Sequence, residues 1–582
     1  MSESSPVASP PERHLTDLVE RFSPRQTRFA VAGLAVAAAI VAWAFRFVQD
    51  DAFITFRYAR NLARGEGLVL NPGQRVEGYT NFLWTWFMSI PEHMGWSAPT
   101  FSVIVGIALL VVTTFVAFRL ATLVLPSEKL ALLATAVLVA NMSFVGYGTG
   151  GLETMLQTLL VTGVAVLLLE PADRSHRTLR RLAAGAIGAI ACLTRLDSAV
   201  LVGTWFLFVV WQEWRGPAEG RVQRTAGAAA LLGVPLVTIL APWLVWKYDY
   251  YGELLPNTLT AKSGGFVVPF LYGVFYLLAF FASYFGFLLI GRFRRGRKEF
   301  FANPLARAAF LPVAVWFLYT CVVGADFMEY RFMVPIIPVL ALLAATLLNG
   351  FTDVRRQAAL VVVLLAASAV HLVAPTVVPY PVLTFQELHH WPSESKTAWI
   401  ALGRHLADEF PGGQKAPGQP VVALQPLGVI SYYSDLPVVD MLGLADKEIA
   451  RDGLQIPLYY PGHVRMATVP QLEAKKVNLV VGLPTYLTAK QLDDHRTSLR
   501  LSELGGIYST ADLKQLPRSA SIVEVPIAPR QVWFMIYLRR NDKVEALIES
   551  GAWKRIGIDR TCRDSDLNIL TRVLSKKTCD GA

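Results

Sequence analysis

The sequence contains little charge and little cysteine. Charged residues make up 17% of its 582 residues, against about 25% in ordinary soluble domains, while hydrophobic residues make up 53%. Four cysteines exclude a disulfide-built fold and a cysteine-rich zinc site. The sequence also lacks a Walker loop, a dinucleotide-binding glycine fingerprint and an HExxH motif, so no motif indicates ATP, NAD or a protease zinc centre. This composition predicts a membrane protein with several spans.

The loops between the apolar runs fall into two classes. One class is basic and comprises 173–181, 215–224, 292–298 and 353–356. The other is acidic, aromatic or rich in asparagine and comprises 49–79, 148–153, 248–265 and 324–331. Because Lys and Arg collect in cytoplasmic loops, the basic loops are expected on the cytoplasmic side of the membrane and the other loops on its outer side. The net charge of +10 therefore indicates membrane topology and no nucleic-acid partner.

These runs predict a polytopic α-helical membrane protein with about eleven transmembrane helices and one partial helix. The run 182–212 is too long for one span and carries Arg195 and Asp197 in its middle, so we predict two helices that meet there. The run 81–96 includes Glu92 and His93 and is expected not to cross fully. Residues 1–28 are expected to form a cytoplasmic tail, and 29–379 the transmembrane module, in a bacterial inner membrane.

Residues 380–582 are expected to form an extracytoplasmic α/β domain, because proline, glycine and charge rise after residue 380. Strands are predicted at 421–424, 477–481 and 533–538, and helices at 395–409, 471–475 and 543–550. Cys562 and Cys579 lie in this domain, and a disulfide between them is left open.

Two adjacent carboxylates, Asp50 and Asp51, follow the first apolar run directly. A carboxylate at the membrane boundary is partly desolvated, which raises its pKa toward that of a usable general base. The alternative is that Asp51 only caps the helix expected over 52–63.

Further ionisable groups lie in the same class of loop. Arg195 and Asp197 are either a structural ion pair or part of a polar cavity. Lys262 is a candidate phosphate ligand or a headgroup anchor, and Asp326 and Arg331 are equally ambiguous. Glu153 either joins them or ends a helix. No metal site is predicted, and a divalent cation is left open as a cofactor.

Six blocks of the sequence, in order, resemble GT-C glycosyltransferases, and most closely the mycobacterial terminal β-(1→2)-arabinofuranosyltransferases. The blocks are 50–84 (DDAFITFRYARNLARGEGLVLNPGQRVEGYTNFLW), 148–156, 193–198, 250–262, 324–338 and 428–446. The third block has Leu196 where the family usually has proline. The resemblance implies transfer of a sugar, arabinofuranose, from a polyprenyl-phosphate donor to a cell-envelope glycan.

The resemblance also implies roles for residues. Asp51, in preference to Asp50, is the catalytic carboxylate. The donor phosphate is expected at Arg195, Lys262 and Arg331. The sugar and acceptor pocket is expected to comprise Arg57, Glu77, Tyr79, Asn81, Glu153, Asp197, Asn257 and Asp326.

Inversion and retention of the anomeric configuration both stay open. The C-terminal domain is expected to cover the cavity and bind the acceptor, and the alternative is a passive α/β cap. Two rival hypotheses are a lipid-linked sugar flippase, which predicts inverted repeats, and a non-catalytic envelope or motor-associated protein.

Overall fold

The computed structural model of the protein describes residues 23–262, 265–285, 294–349, 354–373, 382–390, 392–393, 399–456, 461–487, 497–500, 513–528 and 531–560. Residues 1–22 of the predicted tail, together with Cys562 and Cys579, lie outside these ranges. Helices and strands are numbered below in chain order over the described residues.

The first part of the chain is helical. Its helices are α1 (Pro24–Ala44), α2 (Asp50–Ala63), α3 (Phe82–His93), α4 (Ala98–Val124), α5 (Glu128–Val139), α6 (Met142–Gly146), α7 (Thr154–Leu169), α8 (Arg174–Thr194), α9 (Ser198–Arg215), α10 (Arg221–Tyr251), α11 (Asn257–Lys262), α12 (Val267–Phe280), α13 (Arg294–Ala302), α14 (Pro304–Val323), α15 (Ile337–Asn349) and α16 (Val354–Val373).

Among the described residues of this part, six segments are long and apolar enough to cross a membrane. They are Pro24–Ala44, Ala98–Val124, Arg221–Tyr251, Val267–Tyr284, Pro304–Val323 and Arg331–Asn349. The shorter apolar helices Thr154–Leu169 and Val361–His371 accompany them. The prediction of a polytopic helical protein is confirmed, while the count of eleven spans stays a prediction.

Two local predictions within this part are confirmed. The long run breaks after Thr194, where α8 ends, and resumes at Ser198, where α9 begins. Helix α3 has 12 residues and contains Pro91. At 1.5 Å per residue it is about 18 Å long, too short for an apolar layer of about 30 Å.

The C-terminal domain, residues 382–560 as described, is α/β. Its helices are α17 (Phe385–His390), α18 (Trp399–Glu409), α19 (Gly428–Ser434), α20 (Lys447–Asp452), α21 (Val469–Ala474) and α22 (Asp542–Glu549). Its strands are β1 (Val422–Leu424), β2 (Val438–Asp440), β3 (Leu454–Gln455), β4 (Arg465–Met466), β5 (Leu479–Leu487), β6 (Ser498–Arg500), β7 (Ser521–Ala528), β8 (Gln531–Tyr537) and β9 (Lys554–Asp559). The three predicted strands and three predicted helices are confirmed, with shifted ends.

Seven strands form a mixed sheet in the order β2-β1-β5-β8-β7-β9-β6. Strand β1 lies parallel to both β2 and β5, whereas β8 pairs antiparallel with β5 and β7. The loop after β1 leads directly into α19. Helix α19 therefore begins at the carboxyl end of β1 and extends toward the helical part of the chain.

One hydrophobic core joins the two parts. Phe53 of α2 and Trp84 of α3 belong to the same buried cluster as Val429 of α19 and Trp533 of β8. Burial of apolar area contributes about 25 cal/mol per Å², so this shared core holds the C-terminal domain against α2.

Close helix packing gives a prediction for stability. A Cβ at Gly185 of α8 would lie 2.4 Å from the Leu232 carbonyl oxygen of α10, so Gly185→Ala must push the two backbones apart. We expect it to destabilise the fold by about 1–3 kcal/mol, as overpacking does, and to lower the thermal unfolding midpoint in detergent. Gly163→Ala is the control, because no heavy atom lies within 4 Å of its Cβ position. An equal midpoint for the two variants would contradict this packing.

Candidate active site

A cavity of about 640 Å³ lies where the membrane helices meet the C-terminal domain. Helix α2, the loop after Gly78, the break between α8 and α9, helix α11 and the segment around Arg331 form its walls. Nine of the thirteen predicted site residues line it: Asp51, Tyr79, Asn81, Glu153, Arg195, Asp197, Lys262, Asp326 and Arg331.

Asp51 lies at the start of α2 and faces this cavity. Gln49, and not Asp51, caps the helix, because the Gln49 side chain accepts a hydrogen bond from the Asp51 amide at 2.5 Å. No donor in the described ranges binds the Asp51 carboxylate. Burial raises the pKa of the Asp51 carboxyl above its ordinary value, and the charges of Lys262 and Arg331 oppose the rise.

Asp50 lies on a different side of α2, away from the cavity. Its two carboxylate oxygens accept hydrogen bonds from the backbone amides of Gly428, at 3.2 Å, and Val429, at 2.8 Å. Burial and the charge of Asp51 raise the pKa of Asp50, the two amides lower it, and the result is about 7. Both carboxylate oxygens of Asp50 therefore bind α19, and its alternative role as the catalytic carboxylate stays a prediction.

Lys262 ends the short helix α11 and lines the cavity. Within the described ranges, no oxygen pairs with its ammonium group. Asp51 is its strongest electrostatic partner, and burial lowers the pKa of Lys262. Gly462 of the C-terminal domain covers this side chain, since a Cβ there would lie 3.4 Å from the Lys262 Cε.

Arg331 places a second positive charge in the lining of the cavity, which it shares with Lys262. Its Nε donates to the Asp326 carboxylate at 2.6 Å. In the part of the chain that the structure describes, no oxygen accepts from its two terminal nitrogens. Asp326 therefore orients Arg331, and the outer edge of the guanidinium stays available for an anion.

Arg195 is held by carboxylates on two sides. It donates to Asp197 at 2.6–3.1 Å and to Glu153 at 2.8 Å. Asn81 donates to Glu153 at 2.6 Å, and Gln157 donates to Asp197 at 2.9 Å. The two hypotheses for Arg195 and Asp197 are thus both realised, because the ion pair forms part of the cavity wall.

Three residues predicted for the sugar and acceptor pocket, Arg57, Glu77 and Asn257, lie outside the cavity lining and make structural contacts. Arg57 donates to the backbone oxygens of Leu70, Ser431 and Leu436, so it joins α2 to the C-terminal domain. Glu77 forms a buried ion pair with Lys247 at 2.8 Å. Asn257 donates to the carbonyls of Gly443, at 2.7 Å, and Leu444, at 3.0 Å, and so attaches α11 to the C-terminal domain.

Some cavity residues were not predicted. The C-terminal domain contributes Leu444, Pro461 and Gly462, which lie about two hundred positions beyond Lys262 and carry no charge that would mark them. The ring of Phe332 lies near two cations: its centroid is 5.7 Å from the Arg195 Cζ and 5.9 Å from the Arg331 Cζ. The one sequence feature that indicated a place for Phe332 in the site is its position next to Arg331.

Among the residues that the structure describes, no group of three or more His, Cys, Asp or Glu side chains is arranged to hold a metal ion. The charged groups of the cavity instead form ion pairs or face its interior.

The buried Glu77–Lys247 pair predicts that Glu77 contributes to the stability of the fold. Lys247→Met leaves a buried carboxylate without its partner, which costs about 3–5 kcal/mol. We expect this loss in the free energy of unfolding, measured by denaturing-detergent titration, and recovery of most of it in the double variant Glu77→Gln/Lys247→Met. A single variant as stable as the wild type would contradict the pairing.

Three comparisons with known proteins bear on this arrangement. Residues 387–537 match a family described as a domain of unknown function (DUF8728). The chain is 26% identical over 236 residues to the terminal beta-(1->2)-arabinofuranosyltransferase of Corynebacterium glutamicum, covering 38% of this chain and 34% of that protein. The protein of the same name from Mycobacterium tuberculosis is 25% identical over 247 residues, covering 40% and 38%. The matches thus span little more than a third of these relatives.

The fold is also similar to that of a solved structure. The crystal structure of ArnT from Cupriavidus metallidurans in the apo state aligns with a TM-score of 0.51 and 15% identity, covering 87% of this chain and 97% of that chain. The resemblance noted in the sequence is thereby confirmed at the level of the fold. The chain has the fold of the GT-C membrane glycosyltransferases.

Proposed function

We propose that the protein is a membrane glycosyltransferase that moves arabinofuranose from a polyprenyl-phosphate donor to a cell-envelope glycan, with Asp51 as the catalytic carboxylate. One observation carries the proposal. Within the described residues, an unpaired carboxylate, Asp51, and an unpaired ammonium group, Lys262, line one cavity, and each is the strongest charged partner of the other.

The cations suit the lipid phosphate of the donor. Lys262 and the free edge of Arg331 bind its oxygens and compensate the charge that develops when the phosphate leaves. Arg195 is already matched by two carboxylates, so it holds the wall and contributes less to phosphate binding than the sequence suggested. The cavity lies among membrane-spanning helices, which gives the polyprenyl chain an apolar environment.

Asp51 suits the acceptor side of the reaction. In the proposed step, which is the inverting case, an acceptor hydroxyl gives its proton to the Asp51 carboxylate while its oxygen bonds to the anomeric carbon of the donor sugar. The bond from that carbon to the phosphate oxygen breaks, and polyprenyl phosphate leaves with the bonding electrons. Phosphate is a good leaving group, so the step needs no general acid.

The charge pattern of the loops supports an orientation. Residues of the acidic and aromatic loops line the cavity, and the basic segments 173–181 and 215–224 lie at the opposite ends of α8, α9 and α10. We therefore place the cavity and the C-terminal domain on the outer face of the bacterial inner membrane. There the C-terminal domain, which covers the cavity with Leu444, Pro461 and Gly462, binds the glycan acceptor.

The first test replaces the carboxylate. Asp51→Asn removes the base while keeping size and polarity, and general-base catalysis contributes about 10²–10⁴-fold. With purified protein, radiolabelled polyprenyl-phosphate arabinofuranose and an arabinan acceptor, we expect transfer to fall by at least about 10²-fold. The control is Asp249→Asn, an exposed carboxylate beyond the cavity. Wild-type rates in the Asp51 variant would refute its role.

A second test concerns the cation and pH. Asp51 must be ionised to accept a proton, so activity falls as the pH drops through its pKa. Lys262 lowers that pKa, so Lys262→Gln is expected to move the acidic limb of kcat/KM to higher pH and to raise the KM for the donor about tenfold. The exposed Lys514→Gln is the control. An unmoved limb together with an unchanged donor KM would exclude Lys262 from the site.

A further inference from the structure

Asp50 and Asp51 are adjacent in the sequence but point in different directions. Successive residues of an α-helix are about 100° apart around its axis. Asp51, Ile54 and Thr55 line the cavity, whereas Asp50 faces α19 of the C-terminal domain. The rotation of α2 about its own axis therefore decides whether the Asp51 carboxylate reaches the cavity.

One stripe of α2, which we call the docking face, binds the C-terminal domain along its whole length. Its members Asp50, Phe53, Arg57 and Arg60 follow helical spacing, and Arg64, the residue directly after the helix, continues the same line. Phe53 packs edge-on against the Tyr432 ring at 5.5 Å.

The arginines of this face extend the contact by hydrogen bonds. Arg57 donates to the Leu436 carbonyl at 2.7 Å. Arg60 donates to the Tyr432 carbonyl at 2.6 Å, and Arg64 pairs with Asp435 at 2.8 Å. The C-terminal domain thus contacts α2 from its first turn to its last, along a different side from the one that lines the cavity.

The contact nearest Asp51 is the one that Asp50 makes with α19, and it needs a glycine. A Cβ at Gly428 would lie 1.8 Å from the Asp50 carbonyl oxygen and 2.7 Å from its carbonyl carbon. Both are backbone atoms, so no side-chain rotation relieves the overlap. Gly428 thus permits a close approach of two backbones, and the two carboxylate oxygens of Asp50 then accept from two successive amides of α19.

We propose that Asp50 and Gly428 are positioning residues, whose contact fixes the rotation of α2 and thereby directs the Asp51 carboxylate into the cavity. The inference rests on the proposed function of Asp51 and adds a dependence of the catalytic geometry on the C-terminal domain. It also gives a physical reason for the aspartate pair, since one carboxylate holds the helix and the other faces the substrate.

The test uses the full chain in lipid nanodiscs. Asp50→Asn replaces one acceptor oxygen by an NH2 group that faces a backbone N–H, and Gly428→Ala forces the backbones apart. For both variants we expect kcat to fall at least tenfold, with the KM for donor and acceptor within twofold of the wild type. The double variant is expected to be no slower than the slower single variant, because both changes break one contact. Gly203→Ala, whose Cβ position is open, is the matched control.

A second measurement does not depend on activity. Amide hydrogen exchange of a peptide covering α2 reports its attachment to the C-terminal domain, and we expect faster exchange in Asp50→Asn and Gly428→Ala than in wild type or Gly203→Ala. Size-exclusion elution checks that each variant is folded, and Asp50→Asn, which adds no bulk, tests the proposal if Gly428→Ala does not fold.

Several results would overturn the proposal. They are a wild-type kcat in both variants, a raised KM with unchanged kcat, or an Asp50→Asn variant as inactive as Asp51→Asn beside a fully active Gly428→Ala. If the wild type transfers no sugar from any donor, the proposed function fails instead. Unchanged exchange in α2 would then still refute the positioning contact.

Discussion

Helix α2 lies between the membrane helices and the C-terminal domain, and it meets each with a different side. Its docking face is bound through Asp50 and the three arginines to α19 and the segment that follows it. A different side presents Asp51 to the cavity. Because Phe53 and Val429 share one core, the position of the catalytic candidate depends on packing between parts of the chain nearly four hundred residues apart.

Some charged residues of the cavity pair with one another and form its wall. Others have no such partner among the described residues and can bind a ligand. Arg195 is satisfied by Asp197 and Glu153, which removes the large cost of an unpaired buried charge. Lys262 and Asp51 form no such pair among the described residues and keep their hydrogen-bonding capacity. A charged group that a fold leaves unsatisfied in a cavity is a candidate for substrate contact.

The sequence supports the helical architecture because hydrophobic runs and loop charge are local properties. The break at Arg195 and Asp197 was predictable, since two ionisable groups interrupt one apolar run. The cavity location of Lys262 and Arg331 followed from their place in polar loops. These predictions needed no knowledge of which side of a helix faces which neighbour.

Three features of the site could not be predicted from the sequence, for one physical reason. Helix α2 is polar on both of its functional sides, so hydrophobic periodicity does not tell Arg57, which binds backbone carbonyls of the C-terminal domain, from Asp51. The same applies to Asn257, whose amide binds Gly443 and Leu444. Gly462, which covers Lys262, carries no side chain that a sequence pattern would single out. Long-range packing decides all three.

The binding site of the lipid phosphate is the most direct test of the proposed function. An experimental structure of the protein with a non-hydrolysable polyprenyl-phosphonate sugar would locate that group. We predict phosphonate oxygens about 2.7–2.9 Å from the Lys262 ammonium and the Arg331 guanidinium, with the anomeric carbon on the Asp51 side of the cavity. A phosphonate bound elsewhere, with Asp51 and Lys262 facing solvent, would contradict it.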